Sequence, residues 1–361
     1  MKLQNINKKA VLFSTLLAAT SLLTACNNES DTPNYTLHYS TYSNATSDQS
    51  KTVKRWAEEV EKLTEGGVKV ELHFSQSLAG ADESLQATVD GRADLAQIGS
   101  LYAASDLSMF TVIELPFETQ NPEVHMTAVE RLYKENKIYR NDFDKQGVKL
   151  LYPLPLGSVV LGLKKQATTH KDLANRSIRS GGLTSEVLLS ADANPVAMTA
   201  TDIYESMERG IVDGYSALSI ANLSTFGLTR VSPYVVNPGI GAYSSSIVVI
   251  NAKLFDSMPT KYQEAIEEAS SHGIAIGLEE MDIAGEIACT ELKENKTEFI
   301  DFPVKEVTTW KNQVNVDSDW VNRYSKQGYD AQSVLNDYRK IINEEENKST
   351  YSDPVIKCMR G

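Results

Sequence analysis

Three cysteines and five histidines in 361 residues leave little material for metal or thiol chemistry. No two of His38, His73, His125, His170 and His272 stand at ligand spacing on one helix. Cys26, Cys289 and Cys358 are scattered, a poor start for a zinc site. Positive charge is also short: 35 Lys and Arg face 48 Asp and Glu, a formal charge of −13. Such a surface repels nucleic acid, and no basic stripe overturns this, so nucleic acid is excluded as a partner. There is no Gly-x-Ser-x-Gly elbow and no Gly-x-x-x-x-Gly-Lys phosphate cradle. Gly239-Ile240-Gly241-Ala242-Tyr243 opens like a dinucleotide fingerprint, but it lacks the third glycine and precedes a strand, so it reads as a loop or hinge. The expectation is a chain without metal or cofactor that is not an enzyme.

The N-terminus carries the most informative positive signal. Lys2, Lys8 and Lys9 precede an uncharged apolar run from Ala10 to Leu23, too short to span a bilayer as a stable helix. Leu23-Thr24-Ala25-Cys26 follows, then a polar stretch rich in Asn, Ser and Asp. These are the parts of a secretory signal, and the Leu-Thr-Ala-Cys ending resembles a bacterial lipobox. The reading is a signal over 1–25, a lipidated Cys26 as first mature residue, a tether over 26–34, and work outside the cytoplasm from a membrane anchor. No later apolar run approaches membrane-span length. Removing the leader also removes three lysines, so the mature chain is more acidic still.

Beyond the tether, the pattern alternates between periods of two and 3.6. Tyr35 to Tyr39 reads as a strand, Thr46 to Leu63 as a helix with Val53, Trp56, Ala57, Val60 and Leu63 on one face, and Val68 to Phe74 as a strand. A short helix at Leu85–Val89 and a strand at Leu95–Ile98 follow, the order of an α/β sheet. A weak repeat then emerges. Gly91-Arg92-Ala93-Asp94 leads into a strand and Ser100-Leu101-Tyr102; Gly210-Ile211-Val212-Asp213 leads into Tyr215-Ser216-Ala217. Two similar units predict two lobes whose loops face each other across a cleft, because open α/β sheets hold ligands at strand C-terminal ends. The last third is helical: Thr260 to Glu298 is one long helix or two, then Val314–Tyr324 and Ala331–Glu346. Cys289 and Cys358 are either bridged or two buried thiols; spacing alone does not decide.

One further run stands out: Asp172-Leu173, then Ser177-Ile178-Arg179, then Pro195-Val196-Ala197-Met198, Asp202-Ile203-Tyr204-Glu205 and Arg209-Gly210-Ile211-Val212-Asp213-Gly214. Together with Ser77-Leu78-Ala79-Gly80, Gly91-Arg92-Ala93-Asp94-Leu95 and Glu114-Leu115-Pro116-Phe117, this order resembles the TRAP-transporter solute-binding proteins of the DctP type. The resemblance runs over nearly the whole mature chain. It implies a two-lobed α/β fold of the type II periplasmic binding protein kind with a ligand cleft and a helical C-terminal region. Its lobes would be 35–156 plus about 245–284, and 157–244 plus about 285–361. It implies a receptor that hands an organic acid to TRAP membrane permease subunits.

In that family an Arg at the Ile-Arg position binds the ligand carboxylate, which here is Arg179. A guanidinium fork matches a carboxylate through two parallel hydrogen bonds. The second Arg of sialic-acid and dicarboxylate members is replaced by Ser158-Val159-Val160, and their Asn after Asp-Gly falls on Tyr215-Ser216-Ala217-Leu218. Fewer polar groups predict a less polar ligand, a monocarboxylate such as a 2-oxo, 2-hydroxy or aromatic acid. Tyr42, Ser100, Tyr102, Ser158, Tyr215, Ser216 and Tyr243 complete the expected pocket. Two other classes stay open at this point. An exported enzyme on a small acid or ester would need a nucleophile, base or metal set that the sequence does not offer. A ligand-sensing binding lipoprotein would share the fold.

Overall fold

The chain's architecture follows from a computed structural model that describes residues 34–242 and 246–360. The signal, Cys26, the rest of the tether up to Pro33, and Tyr243 lie outside the described residues. Among the described residues, eleven strands form two sheets: β1 (Tyr35–Ser40), β2 (Val68–His73), β3 (Leu95–Gly99), β4 (Val148–Leu154), β5 (Val160–Leu163), β6 (Ser177–Ser180), β7 (Asn194–Ala197), β8 (Gly214–Leu218), β9 (Tyr234–Asn237), β10 (Ser246–Asn251) and β11 (Glu298–Asp301). One sheet has the order β2-β1-β3-β10-β4 and the other β11-β9-β5-β8-β6-β7. The result is a two-lobed α/β fold, each lobe built on one sheet.

In the first sheet β1 is parallel to β2 and β3, while β10 enters antiparallel between β3 and β4. The helix Asp48–Leu63 covers this sheet because Val53, Trp56, Ala57 and Val60 make one apolar stripe, all buried. Ser47 caps it by accepting from the Ser50 N–H. Trp56 packs against the Tyr152 ring in a core that also holds Tyr39 and Ile266, and its indole N–H donates to Ser270 Oγ at 3.1 Å. In the second sheet β6 is parallel to β7 and β8, and β5 runs antiparallel to β8 and β9.

The chain crosses between the sheets twice at one place. The β4–β5 and β9–β10 connections lie side by side, with Ser158 bridging Ala242 and the Val159 N–H donating to the Gly241 carbonyl at 3.0 Å. Gly241 sits at φ 103°, and a Cβ there would lie 2.3 Å from the Thr119 carbonyl oxygen, so only glycine fits this crossing. The Gly239–Gly241 run is thus a connecting loop, and the strand after it is β10.

The helical stretch from Thr260 resolves into two helices, Thr260–Ser271 and Gly273–Glu294, broken at His272. Gly273 lets the second helix rest on the Tyr152 ring, where a Cβ would approach to 2.4 Å. That 22-residue helix packs against Asp48–Leu63 of the first lobe and Ile220–Thr225 of the second. Cys289 on it is joined by a disulfide to Cys358 on the terminal helix Pro354–Arg360. The helix Ala331–Glu346 lies along Pro122–Glu135. Among the described residues, no helix is long and apolar enough to cross a membrane.

Candidate functional site

The C-terminal ends of β1, β3 and β8 converge with Arg179 of β6 on one cavity between the sheets. It holds about 520 Å³ of space including its open mouth. Its first-lobe wall carries Tyr42, Ser43, Asp48, Gln49, Leu101, Tyr102 and Ser246; its second-lobe wall carries Arg179, Ala200, Ala217, Leu218, Asn222, Thr225 and Phe226. The two loops of the sequence repeat do meet here, through Leu101-Tyr102 on one side and Ala217-Leu218 on the other.

Arg179 is 1% exposed, a full charge taken almost wholly out of water. Its position is fixed by backbone: Nε donates to the Met198 carbonyl and Nη1 to the Ser216 carbonyl, each at 3.1 Å. Register explains this, because Arg179 lies opposite Tyr215 in β8 and Val196 in β7. A guanidinium held by two backbone carbonyls is preorganised, so little rotamer freedom remains to be lost on binding.

Two tyrosines meet edge to face on the opposite wall, the Tyr42 and Tyr102 rings 5.5 Å apart at 70°. Gly99 makes room for both: a Cβ there would lie 2.9 Å from the Tyr102 ring and 3.0 Å from the Tyr42 hydroxyl. The Tyr42 hydroxyl and Ser246 Oγ share a hydrogen bond of 2.6 Å. Ser246 accepts in turn from the Gln97 amide at 3.0 Å, and the same amide donates to Gln49. Burial and the neighbouring Tyr102 push the Tyr42 phenol well above its ordinary pKa, so it stays a neutral hydroxyl.

Asp48 opens the helix Asp48–Leu63 and is 2% exposed. Burial pushes its carboxyl up to about 7, partly offset by the backbone N–H groups of Gln49 and Asp48 beside it and by Lys51. A carboxyl and a guanidinium therefore stand on facing walls of one small, largely apolar cavity.

Of the expected site residues, Arg179, Tyr42 and Tyr102 line the cavity. Ser216 acts through its backbone carbonyl, and its buried hydroxyl has no hydrogen-bond partner. Ser100 is buried next to the wall, its carbonyl accepting from Ala103. Tyr215 points elsewhere: its ring lies over Gly162 and its hydroxyl bonds Ser232 at 2.7 Å, inside the second lobe's core. Ser158 belongs to the crossing, its N–H on Asp353 at 2.6 Å and its hydroxyl on the Gln120 carbonyl. The placement of Tyr243 lies outside the described residues.

The expected loss of one amide after Asp-Gly concerns Tyr215–Leu218 alone; two amide residues from elsewhere in the chain, Gln49 and Asn222, line the cavity. Asn222 comes from the helix after β8, past Tyr215–Leu218; its side-chain carbonyl oxygen caps that helix by accepting from the Ser219 N–H. Asp48 and Gln49 were within reach of sequence reasoning, since they start the helix that follows the end of β1. Ser246 was not, because it arrives on an antiparallel strand from far along the chain.

One cluster of metal-ligand type stands apart from the cavity. His38 on β1 and Glu71 and His73 on β2 bring ligand atoms within 4.8 Å of one another. His38 Nδ1 and His73 Nε2 are 3.0 Å apart and share a hydrogen bond. A search for helical histidine spacing misses it because parallel strand pairing, not i,i+4 geometry, joins these residues.

Comparison with known proteins agrees with this architecture. The model of the family described as DctP, bacterial extracellular solute-binding protein family 7, matches residues 39–326. The chain is 27% identical over 296 residues to the outer membrane transporter protein TsaT of Comamonas testosteroni, covering 80% of this chain and 85% of that one. It is similar in fold to a TRAP solute-binding protein of Rhodoferax ferrireducens in complex with copurified benzoate, with TM-score 0.80 and 20% identity over 87% of this chain and 99% of that one. A TRAP periplasmic solute-binding protein of Bordetella bronchiseptica with bound (R)- and (S)-mandelate gives TM-score 0.76 and 21% identity, over 86% and 99%.

Proposed function

This chain belongs to family 7 of the bacterial extracellular solute-binding proteins, and from that premise we propose that it is the receptor of a TRAP-type importer for an organic monocarboxylate. The observation that carries the reading is Arg179, buried at the wall of the cavity between the lobes and clamped by the Met198 and Ser216 carbonyls. In this reading the ligand's carboxylate meets the guanidinium, and its apolar body lies among Tyr42, Tyr102, Leu101 and Phe226. Single-guanidinium recognition favours one carboxylate over two. The benzoate and mandelate of the two structural neighbours are acids of this size and charge.

Transport chemistry follows from shape. The lobes close when one ligand touches both walls, so ligand binding shifts the population toward the closed form. TRAP membrane subunits would read that form, and the receptor itself would catalyse nothing. The lobes are assigned as 35–156 plus about 245–284, and 157–244 plus about 285–361. Lipidation at Cys26 would hold the receptor at the membrane on the extracytoplasmic side.

A thermal-shift screen of the chain without residues 1–26 tests the reading. A monocarboxylate in large excess over its dissociation constant raises Tm by several degrees. Stabilisation by dicarboxylates alone would contradict the monocarboxylate class and leave the receptor assignment in place.

A further inference from the structure

Asp48 is the feature of the cavity that a plain monocarboxylate receptor does not need. It is a carboxyl on the wall of an apolar cavity, 2% exposed, and neither oxygen has a hydrogen-bond partner. The N–H groups of Asp48 and Gln49 lie near it but do not reach hydrogen-bond geometry. Buried polar atoms are nearly always paired, and an unpaired buried carboxyl is costly to keep. A hydrophobic residue would serve better if the ligand offered this wall only carbon.

The charged groups acting on Asp48 are Lys51, which favours the ionised form, and Glu280, which opposes it. Glu280 is engaged by Arg55 at 3.0 Å. Neither satisfies the Asp48 oxygens. Asp48 is one of the residues lining the cavity, and Arg179 lines it from the other lobe.

We propose that Asp48 is a specificity residue that accepts a hydrogen bond from the ligand, so that the receptor takes acids bearing a hydroxyl or N–H besides their carboxylate. This rests on the receptor reading above. An ionised carboxylate is an acceptor only. It attracts a hydroxyl, an amino group or a ring N–H, and it repels a second carboxylate or a bare keto oxygen. The class is therefore narrowed from monocarboxylates at large to hydroxy or amino monocarboxylates, with 2-oxo acids and dicarboxylates selected against. Ser43 and Gln49 on the same cavity wall, and Asn222 on the facing one, add neutral polar contacts for the same substituent.

The test is calorimetry at pH 8, where the carboxyl is mainly ionised, on matched ligands. Mandelate is compared with phenylglyoxylate and phenylacetate, and 3-hydroxybenzoate with benzoate. The hydroxylated member of each set should bind about tenfold or more tighter, the value of a hydrogen bond to a charged group. Asp48→Asn should shrink the preference to about threefold or less while the variant unfolds at or above the wild-type Tm, which shows that it folds. Matched ligands that bind equally to the wild type, or a preference unchanged in Asp48→Asn, would overturn the proposal and leave the receptor reading standing. Arg179→Ala separates the two readings: if it binds all the acids as the wild type does, the carboxylate assignment fails, whatever Asp48 does. No binding of any of these acids would overturn both.

Discussion

Arg179 donates to the Ser216 carbonyl across the β6–β8 pair, a contact of 3.1 Å between a side chain and the backbone of the neighbouring strand. With the Met198 bond it fixes the guanidinium plane, which a lysine cannot reproduce with a tetrahedral ammonium. Arg179→Lys is expected to fold, to lose about 1–3 kcal/mol of stability from imperfectly satisfied carbonyls, and to bind its acid at least tenfold more weakly. Denaturant unfolding and calorimetry read the two effects separately.

Gly99 sets the packing of the two cavity tyrosines. In Gly99→Ala the new methyl would meet the Tyr102 ring and the Tyr42 hydroxyl. Both rings must then shift, disturbing the Tyr42–Ser246 bond. Overpacking of this kind costs about 1–3 kcal/mol. The expected outcome is a loss of affinity out of proportion to the loss of stability; unchanged affinity would show that the tyrosine pair does not shape the ligand's place.

Asp48 makes stability depend on pH. Its folded pKa of about 7 lies above the unfolded value of about 3.9. Between these values the folded state holds a proton that the unfolded chain has released, so stability falls as pH rises from about 4 to 7 and is flat above. Asp48→Asn removes this, and should be more stable than wild type at pH 8 by up to about 4 kcal/mol, with the difference vanishing near pH 4. Asp353, also raised by burial, works in the same direction as Asp48. His125, lowered by burial to about 4 with its ring on the Ile113 carbonyl, works the opposite way, losing stability as pH falls from about 6.5 to 4. Urea titrations of wild type and variant across pH 4–8 isolate the Asp48 contribution.

The Cys289–Cys358 bridge closes a loop over a sequence separation of 69. Chain-entropy reasoning gives such a bridge on the order of 4 kcal/mol, and measured values commonly fall lower. Cys289→Ser with Cys358→Ser should lower stability by about 2–4 kcal/mol and loosen the helix Pro354–Arg360. Hydrogen exchange should rise there first. Ligand affinity should change little, because neither cysteine lines the cavity.

Much of the fold was legible in local pattern. The spacing of Val53, Trp56, Ala57 and Val60 marks the buried face of the first helix, and the alternation in Val68 to Phe74 marks β2. Arg179, expected from the family order, and Tyr102, expected from the strand-end loop, line the cavity, as does Tyr42. What stayed hidden depends on long-range pairing. Tyr215 alternates like a cavity residue, yet its side chain turns into the core over Gly162 because β5 lies against β8. Ser158 was drawn toward the site by a family offset, but Asp353, from the far end of the chain, holds it in the crossing. Asp48 falls in the first turn of the helix read over Thr46 to Leu63, and only tertiary burial turns it into a buried cavity acid.

The most direct test of the central claim is a calorimetric titration of wild type and Arg179→Ala with a monocarboxylate that stabilises the wild type. The account predicts a saturable wild-type isotherm and a loss of affinity of about a hundredfold or more in the variant, as expected when a charged hydrogen-bonding partner is removed in a dry site. A variant that binds the acid within a few fold of wild type would contradict it, because the carboxylate would then be held elsewhere.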